Sequence, residues 1–290
     1  MKSILIPTDF SEISKNSIFY GFELASRLNL RVFLVHVIEL YKFVASTSET
    51  EIMSTVLPVE SIKEMEKAAD SSFKKLINEI QDKLGNSVQY DYHIVPGHLV
   101  NEMIAESNND NIELIILAVT VTQDLVTRFT QGAVSSIISE AACPVMVVPS
   151  AFSFKPFTKT LYVTDFNKAD VNSLLHFISI FSNFNPEIIV LHITSKLPDF
   201  KTELKFAGFK QLIKEKSDYQ NINYRLIQGK NVVTSILETA KSEQIDMLVM
   251  LKEHEGFFRS LFETSKTEKI SHYLKIPMIS YHEQDKNKLN

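Results

Sequence analysis

The chain has 290 residues, of which 44% are hydrophobic, a net charge of −5 and a single cysteine. One cysteine excludes a disulfide framework, and the lack of a basic excess argues against a nucleic-acid-binding surface. No apolar run approaches the roughly 18 residues of a membrane span, and the first apolar run is too short for a secretory signal. We therefore expect a cytoplasmic protein of two domains, with neither a nucleic acid nor a membrane as partner.

Strands and helices alternate through the first half of the sequence. Residues 88–95 alternate between apolar and polar side chains, which predicts a strand at a sheet edge. Residues 39–60 are of mixed, partly polar composition and predict a mobile or irregular connection. The other predicted strands cover 4–6, 31–38, 114–119 and 145–148, and the predicted helices cover 13–28, 60–84, 98–107 and 133–142. This alternation is typical of a parallel sheet with helices on both faces.

The pattern occurs a second time along the chain. Thr164-Asp165-Phe166 lies 156 residues after Thr8-Asp9-Phe10, whereas Pro277 lies 133 residues after its counterpart Pro144. The second copy is therefore 23 residues shorter, and the missing residues fall between its second and third strands. A repeat of this length is a domain rather than a solenoid unit.

The repeat predicts two domains, residues 1–150 and 151–290, joined by a linker over 151–158. Residues 283–290 are polar and predict a disordered tail. The second domain is predicted to contain strands over 160–164, 187–193, 221–227, 246–251 and 277–281, and helices over 170–182, 199–217, 231–242 and 265–274. Each domain is thus expected to be a five-stranded, doubly wound α/β sandwich.

A candidate ligand site follows the first strand. Pro7 ends that strand because proline cannot donate to a sheet ladder, and Ser11 is positioned to cap the next helix. Thr8 and Asp9 lie between them, at the edge where open α/β sheets bind ligands. Asp9 is therefore a candidate binding residue, and the alternative is a carboxylate that only caps or braces the loop.

Several runs together resemble the universal stress protein family. They are Ile4 to Ser11, Leu34 to Val37, Gly132 to Ser135 and Cys143 to Pro149. The resemblance implies Rossmann-like (adenine nucleotide alpha hydrolase-like) domains that are often dimeric and in some members bind ATP or AMP. We expect the two halves to pack together like the family's dimer, through strands 145–148 and 277–281. A homodimer of the whole chain and an unidentified protein partner remain open.

The resemblance also implies where an adenine nucleotide would lie. Nucleotide-binding members carry glycines at the positions of Ala118 and Val121, and a hydroxyl residue at that of Ala133. Phosphate approaches backbone closely only where no Cβ intervenes, so we expect ATP to bind weakly. The implied site residues are Pro7, Thr8, Asp9, Val37, Ala118, Gly132, Ala133, Val134 and Ser135. Arg128 is a further candidate for a phosphate contact, and its alternative is a solvated loop residue.

The second copy departs further from the nucleotide-binding pattern. Leu251 and His254 occupy the two glycine positions, and only the hydroxyls of Thr264 and Ser265 match the later motif. The aromatic run from Phe257 to Phe262, which contains Phe258, predicts packing over the sheet end, a plug in the degenerate site or an interface. We therefore expect the first half to be the ligand-competent one and the second to be its structural partner.

The remaining chemistry-bearing residues favour packing. His36 and His192 are repeat equivalents within apolar strands and predict core or strand-end packing rather than a shared ligand. Cys143 predicts a small core residue, and the sequence carries no metal-binding or nucleophile motif. The sequence predicts a tandem universal stress protein that acts as a non-catalytic stress-response binding or interaction module. The alternative is an ATP- or AMP-binding switch, or a slow ATPase, that uses the first domain.

Overall fold

The computed structural model describes residues 1–45, 52–56, 58–119, 130–251 and 276–282. The first half contains β1 (Ser3–Pro7), α1 (Glu12–Leu28), β2 (Arg31–Glu39), β3 (Tyr41–Ala45), β4 (Ile52–Val56), α2 (Val59–Leu84), β5 (Tyr90–Gly97), α3 (Leu99–Ser107), β6 (Ile112–Val119), α4 (Gln131–Glu140) and β7 (Val145–Pro149). The second contains β8 (Lys159–Val163), α5 (Lys168–Phe181), β9 (Glu187–Thr194), α6 (Phe200–Lys216), β10 (Ile222–Gln228), α7 (Val232–Ser242), β11 (Met247–Leu251) and β12 (Met278–Tyr281). The predicted helix 265–274, the Phe257–Phe262 run and the tail lie outside the described residues.

Ten of the strands form one continuous sheet in the order β10-β9-β8-β11-β12-β7-β6-β1-β2-β5. Neighbours within each half are parallel, and β5 lies at one edge as its alternating sequence predicted. The halves meet where β12 pairs antiparallel with β7, with Met278 opposite Val147 and Ser280 opposite Val145. The predicted pairing of the final strands is thus confirmed, and it satisfies backbone groups that two separate sheets would leave open.

Helices cover both faces of the sheet. Apolar side chains of α1, α2, α5 and α6 pack on one face, where Phe73 and Phe177 are fully buried. Side chains of α3, α4 and α7 pack on the other, around Met103, Ile137 and Ile236. In the first half, β1 lies between β2 and β6, so the strand order reverses between β1 and β6. In such sheets ligands usually bind where the order reverses, at the carboxyl ends of the two strands, and this region is called the crevice below.

The connection over residues 39–60 differs from the sequence prediction. Instead of an irregular segment it contains the antiparallel pair β3–β4, with Tyr41 opposite Val56 and Ala45 opposite Ile52. The residues between these strands contain neither glycine nor proline, so the usual sequence signal of a hairpin is missing. This strand pair and its connection account for much of the length that the second half lacks.

The predicted linker is packed against both halves. Phe154 contacts Tyr20 of α1 edge-on, with ring centroids 5.2 Å apart, while Phe157 is buried against the rings of Phe181 and Phe184. Asp246 accepts hydrogen bonds from the backbone N–H of Thr158 and from Lys155. The segment therefore fixes the path of the chain between the two halves of the sheet.

A polar cluster joins the halves beside the linker. Glu113 of β6 lies 2.8 Å from Nε2 of His176 on α5 and 3.1 Å from Nζ of Lys2. Nδ1 of His176 lies 3.3 Å from the hydroxyl of Tyr281 on β12. The hydrogen bond from His176 and the charge of Lys2 lower the pKa of Glu113 to about 2, although burial acts in the opposite direction.

No helix in the described part of the chain is long and apolar enough to cross a membrane.

Candidate functional site

The turn after β1 is held by backbone and hydroxyl contacts. The Thr8 N–H donates to the Val35 carbonyl at 2.8 Å, and the Phe10 N–H donates to Oγ1 of Thr8 at 3.0 Å. Phe10 has a φ of 62°, a left-handed conformation that few non-glycine residues adopt. The turn is therefore a fixed feature that directs the chain from β1 into α1.

Asp9 braces the start of α1. Its Oδ1 accepts from the backbone N–H of Ser11 at 3.0 Å and from the Ser11 hydroxyl at 2.5 Å. Ser11 in turn caps α1 by accepting from the Ser14 N–H, as its position predicted. The bracing alternative raised for Asp9 is therefore realised. The half-buried carboxylate also lies at the mouth of the crevice, because it directly follows β1.

His36 supports the same turn from β2. Its Nδ1 lies 2.8 Å from the Thr8 carbonyl oxygen, and its ring lies 4.7 Å from that of Phe10. In the second half, Nδ1 of His192 lies 2.6 Å from the Thr164 carbonyl oxygen, and Phe166 has a φ of 61°. The strand-end packing predicted for both histidines is confirmed.

The opposite wall of the crevice comes from β6 and α4. The register that pairs Leu5 with Ile115 carries Ala118 to the level of Thr8. Gly132 lies in the first turn of α4, and among the described residues a Cβ there would meet only Oγ1 of Thr130, at 3.9 Å. The described residues therefore do not require a glycine here, and the space that they leave beside it suits a ligand that approaches the backbone.

The other residues of the implied nucleotide site differ in their burial and hydrogen bonding. Oγ1 of Thr130 accepts from the Ala133 N–H at 3.2 Å, so this first-turn amide is already capped. Val134 is fully buried in the core, and Val37 is nearly so, whereas Ser135 is half-buried. Val121 and Arg128 lie outside the described residues, and with them most of the loop that follows β6.

The implied set therefore shares one end of the sheet. Pro7 ends β1 and is followed by Thr8 and Asp9, Val37 lies near the end of β2, and Ala118 lies near the end of β6. The start of α4, which follows β6 in the chain, adds Gly132, Ala133, Val134 and Ser135. Among the described residues, no group of three His, Cys, Asp or Glu side chains could hold a metal ion.

The equivalent turn in the second half contains a residue that sequence reasoning missed. Asp170 occupies the position of Ser14 and is fully buried. Its Oδ2 accepts from the backbone N–H groups of Asp165 and Asn167, at 3.0 and 3.1 Å. Burial raises the pKa of Asp170 to about 6. The spacing Asn167-x-x-Asp170 was the available signal, because it fits a capping box.

Comparison with known proteins assigns both halves of the chain to one protein family. The sequence model of the universal stress protein family matches residues 1–149 and again residues 156–282. The chain is 28% identical over 148 residues to the universal stress protein MJ0531 of Methanocaldococcus jannaschii, an alignment that covers 51% of this chain and 81% of that protein.

Solved structures with the same fold span nearly the whole chain. A universal stress protein from Archaeoglobus fulgidus superposes with a TM-score of 0.65 at 15% identity, covering 97% of this chain and 96% of the other. PA1789 of Pseudomonas aeruginosa PAO1, described as functionally unknown, has a TM-score of 0.53 at 14% identity and covers 98% and 94%. With both halves matched by the family's sequence model, the chain belongs to the universal stress protein family as a tandem member.

Proposed function

We propose that this tandem universal stress protein is a non-catalytic stress-response module whose first half binds the adenosine part of an adenine nucleotide. The observation that carries the proposal is the uneven crevice between β1 and β6. Its β1 side keeps the braced Thr8–Asp9 turn, while its β6 side keeps only Gly132 of the close-approach positions. The module therefore binds nucleoside more strongly than phosphate.

The β1 side supplies groups suited to a nucleoside. A carboxylate accepts hydrogen bonds from ribose hydroxyls, and Asp9 is already oriented by Ser11. Pro7 and Val37 are buried apolar residues at the ends of β1 and β2, so the nearby end of the sheet is apolar, which suits an adenine base. These residues match the base and ribose positions implied by the family resemblance.

The phosphate side is weaker. The methyl groups of Ala118 and Ala133 stand where nucleotide-binding members have a glycine and a hydroxyl. The Ala133 N–H is already used by Thr130, so it is not available to an anion. ATP and AMP should therefore bind with similar affinity, because the additional phosphates of ATP gain few contacts.

Calorimetry with AMP and ATP tests the proposal. Both ligands should bind more weakly than about 1 μM, and Asp9→Ala should weaken binding about tenfold, the value of a hydrogen bond to a charged group. Asp165→Ala is the matched control in the other half and should leave both affinities unchanged. Sub-micromolar ATP binding would contradict the proposal.

A gain-of-function variant separates the two ends of the site. Ala118→Gly combined with Ala133→Ser restores the missing close approach and hydroxyl, so it should tighten ATP more than AMP. The result does not depend on the stability of Asp9→Ala, whose α1 brace is lost. Equal tightening of both ligands would show that the phosphates do not lie between β6 and α4.

A nucleotide switch with slow ATPase activity is the second candidate. Asp9 lies on one side of the crevice and Gly132 on the other. A nucleotide that contacts Asp9 could therefore extend its phosphates towards Gly132, which favours the second candidate. Incubation with ATP and chromatography of the products distinguishes the candidates. ADP that forms with the native chain and fails to form with Asp9→Ala would replace the non-catalytic proposal.

A further inference from the structure

Helix α6 and the turn before it expose an unusual amount of apolar side chain. Leu197, Phe200 and Leu204 are 78%, 79% and 62% exposed, and Leu212 is 42% exposed. Only three other large hydrophobic side chains in the described part of the chain are comparably exposed, and they are scattered. A cluster of this kind on a folded protein marks a contact surface.

The core does not require these side chains. Phe209 and Ile213 form the buried face of α6, and Phe200 and Leu204 lie on the other side of the helix. The side chains with high exposure therefore project away from the sheet, because positions three or four residues apart share a helix face.

The corresponding surface of the first half is not apolar. Phe73 of α2 packs against Phe10 as Phe209 packs against Phe166, which aligns the two helices at an offset of 136 residues. The same offset places the exposed residues Glu64 and Ala68 at the positions of Phe200 and Leu204. The fold thus accommodates small or charged residues there, and the apolar surface is particular to the second half.

Lysines outnumber acidic residues along α6 and the turn before it. Residues 196–216 contain six lysines and three acidic residues, although the whole chain carries a net charge of −5. Lys205 and Lys216, with Lys168 of α5, line a groove of about 510 Å³ beside Leu212. Among the described residues, none of these three lysines forms an ion pair with a carboxylate.

We infer that this α6 surface, defined by Leu197, Phe200, Leu204 and the lysines Lys201 and Lys205, binds an anionic lipid bilayer. Projecting Leu and Phe side chains flanked by lysines suit the boundary between headgroups and acyl chains, where they insert while the ammonium groups reach the phosphates. The expectation of no membrane partner rested on the absence of a spanning segment, and a surface contact needs none.

A second copy of the chain fits this surface poorly. A two-fold dimer would bring together two copies of the same patch, each with an excess of lysines, so their net charges would repel. An anionic bilayer instead offers charge of the opposite sign across the whole patch. The inference concerns the second half only and does not depend on nucleotide binding in the first.

Sedimentation with sucrose-loaded vesicles tests the inference on the full chain. Vesicles of equimolar phosphatidylglycerol and phosphatidylcholine should bring the protein down at low salt, and vesicles of phosphatidylcholine alone should not. Phe200→Ser and Leu204→Ser should each weaken partitioning at least tenfold, given the free energy of burying such side chains. Lys201→Gln and Lys205→Gln should each weaken it roughly fivefold, and high salt should do the same.

The matched control is Val59→Ser on α2, which removes an apolar side chain that is 61% exposed. It should leave partitioning unchanged. Equal binding to neutral vesicles, no binding to anionic ones, or an equal loss in Val59→Ser would each overturn the inference. The lysine variants keep the test valid if a serine variant folds poorly, because Lys201 and Lys205 lie on the exposed surface.

Discussion

Asp170 places an ionisable carboxyl where the first half has the hydroxyl of Ser14. The side chain is fully buried, and its pKa of about 6 lies above the ordinary value of 3.8 because burial disfavours the charged form. Its two backbone hydrogen bonds act against this shift without cancelling it. The ionised group is therefore a source of instability at neutral pH.

Replacement of Asp170 by Asn should change how stability depends on pH. The folded native chain binds a proton near pH 6, whereas the unfolded chain does so near 3.8. Native stability therefore gains as pH falls through that window, by up to about 3 kcal/mol from this group. Asp170→Asn removes the gain, and denaturant unfolding at pH 7, 5 and 4 measures it. The control Asp82→Asn, on the exposed side of α2, should follow the native stability curve. If Asp170→Asn also followed the native curve, Asp170 would be solvated and the prediction would be wrong.

The residues of the turn were partly predictable from sequence. Thr8-Asp9-Phe10 and its copy repeat the same three residue types, and both copies adopt the same left-handed phenylalanine. The exchange of Ser14 for Asp170 escaped prediction because burial of a polar residue depends on packing that sequence spacing does not show. The capping role of Ser11 followed from its position alone.

At the scale of single elements, two helices contain an interior glycine in opposite surroundings. In the described part of the chain, no atom lies within 4 Å of a Cβ added at Gly208 of α6. Gly21 of α1 lies against Cδ1 of Ile6, which is fully buried, and an added Cβ would overlap it. The first glycine therefore only weakens its helix, while the second makes room for the core.

These surroundings predict opposite effects of alanine. Gly208→Ala should raise the free energy of unfolding by about 0.5–1 kcal/mol, because alanine has the higher helix propensity and meets no obstacle. Gly21→Ala should lower it by about 1–3 kcal/mol, the typical cost of overpacking, less the gain in propensity. Thermal melts of both variants give the comparison. A lower melting temperature in Gly208→Ala would show that the space above α6 is occupied.

Element types were more predictable than their details. Helical spacing of apolar residues placed α1, α2 and α5 to within two residues at each end, and buried apolar runs located the central strands. The β3–β4 pair was missed because its strands satisfy each other through backbone hydrogen bonds that leave little trace in composition. In the site, the β1 turn could be read from its motif, whereas the open space at Gly132 depends on where α4 begins.

At the scale of the molecule, Glu113 contributes to holding the halves together. Its pKa of about 2 lies below the ordinary 4.5, chiefly because His176 hydrogen-bonds to it. Stability from this group is present above pH 4.5 and is lost as pH falls towards 2, a contribution of about 3 kcal/mol.

Glu113→Gln should lower the free energy of unfolding at pH 7 by about 2–3 kcal/mol and flatten the acid limb of the stability curve. Chemical denaturation between pH 7 and 2.5 measures both effects. Glu64→Gln on the exposed surface of α2 is the control and should leave the curve in place. An acid limb that persists in Glu113→Gln would assign it to other carboxylates.

The backbone pairing between β7 and β12 looks two-fold symmetric, but the side chains around it are not symmetric. The repeat equivalent of Glu113 is Asp246, which holds Lys155 and Thr158 of the linker, and the equivalent of His176 is Tyr20, which packs on linker aromatics. In a homodimer each interface residue is present twice, so one mutation must suit both copies of the contact. A single chain carries each contact once and keeps its halves associated at any dilution. A substitution on one side of the join is therefore not repeated on the other side. One half can lose residues that bind a ligand while the other half keeps them.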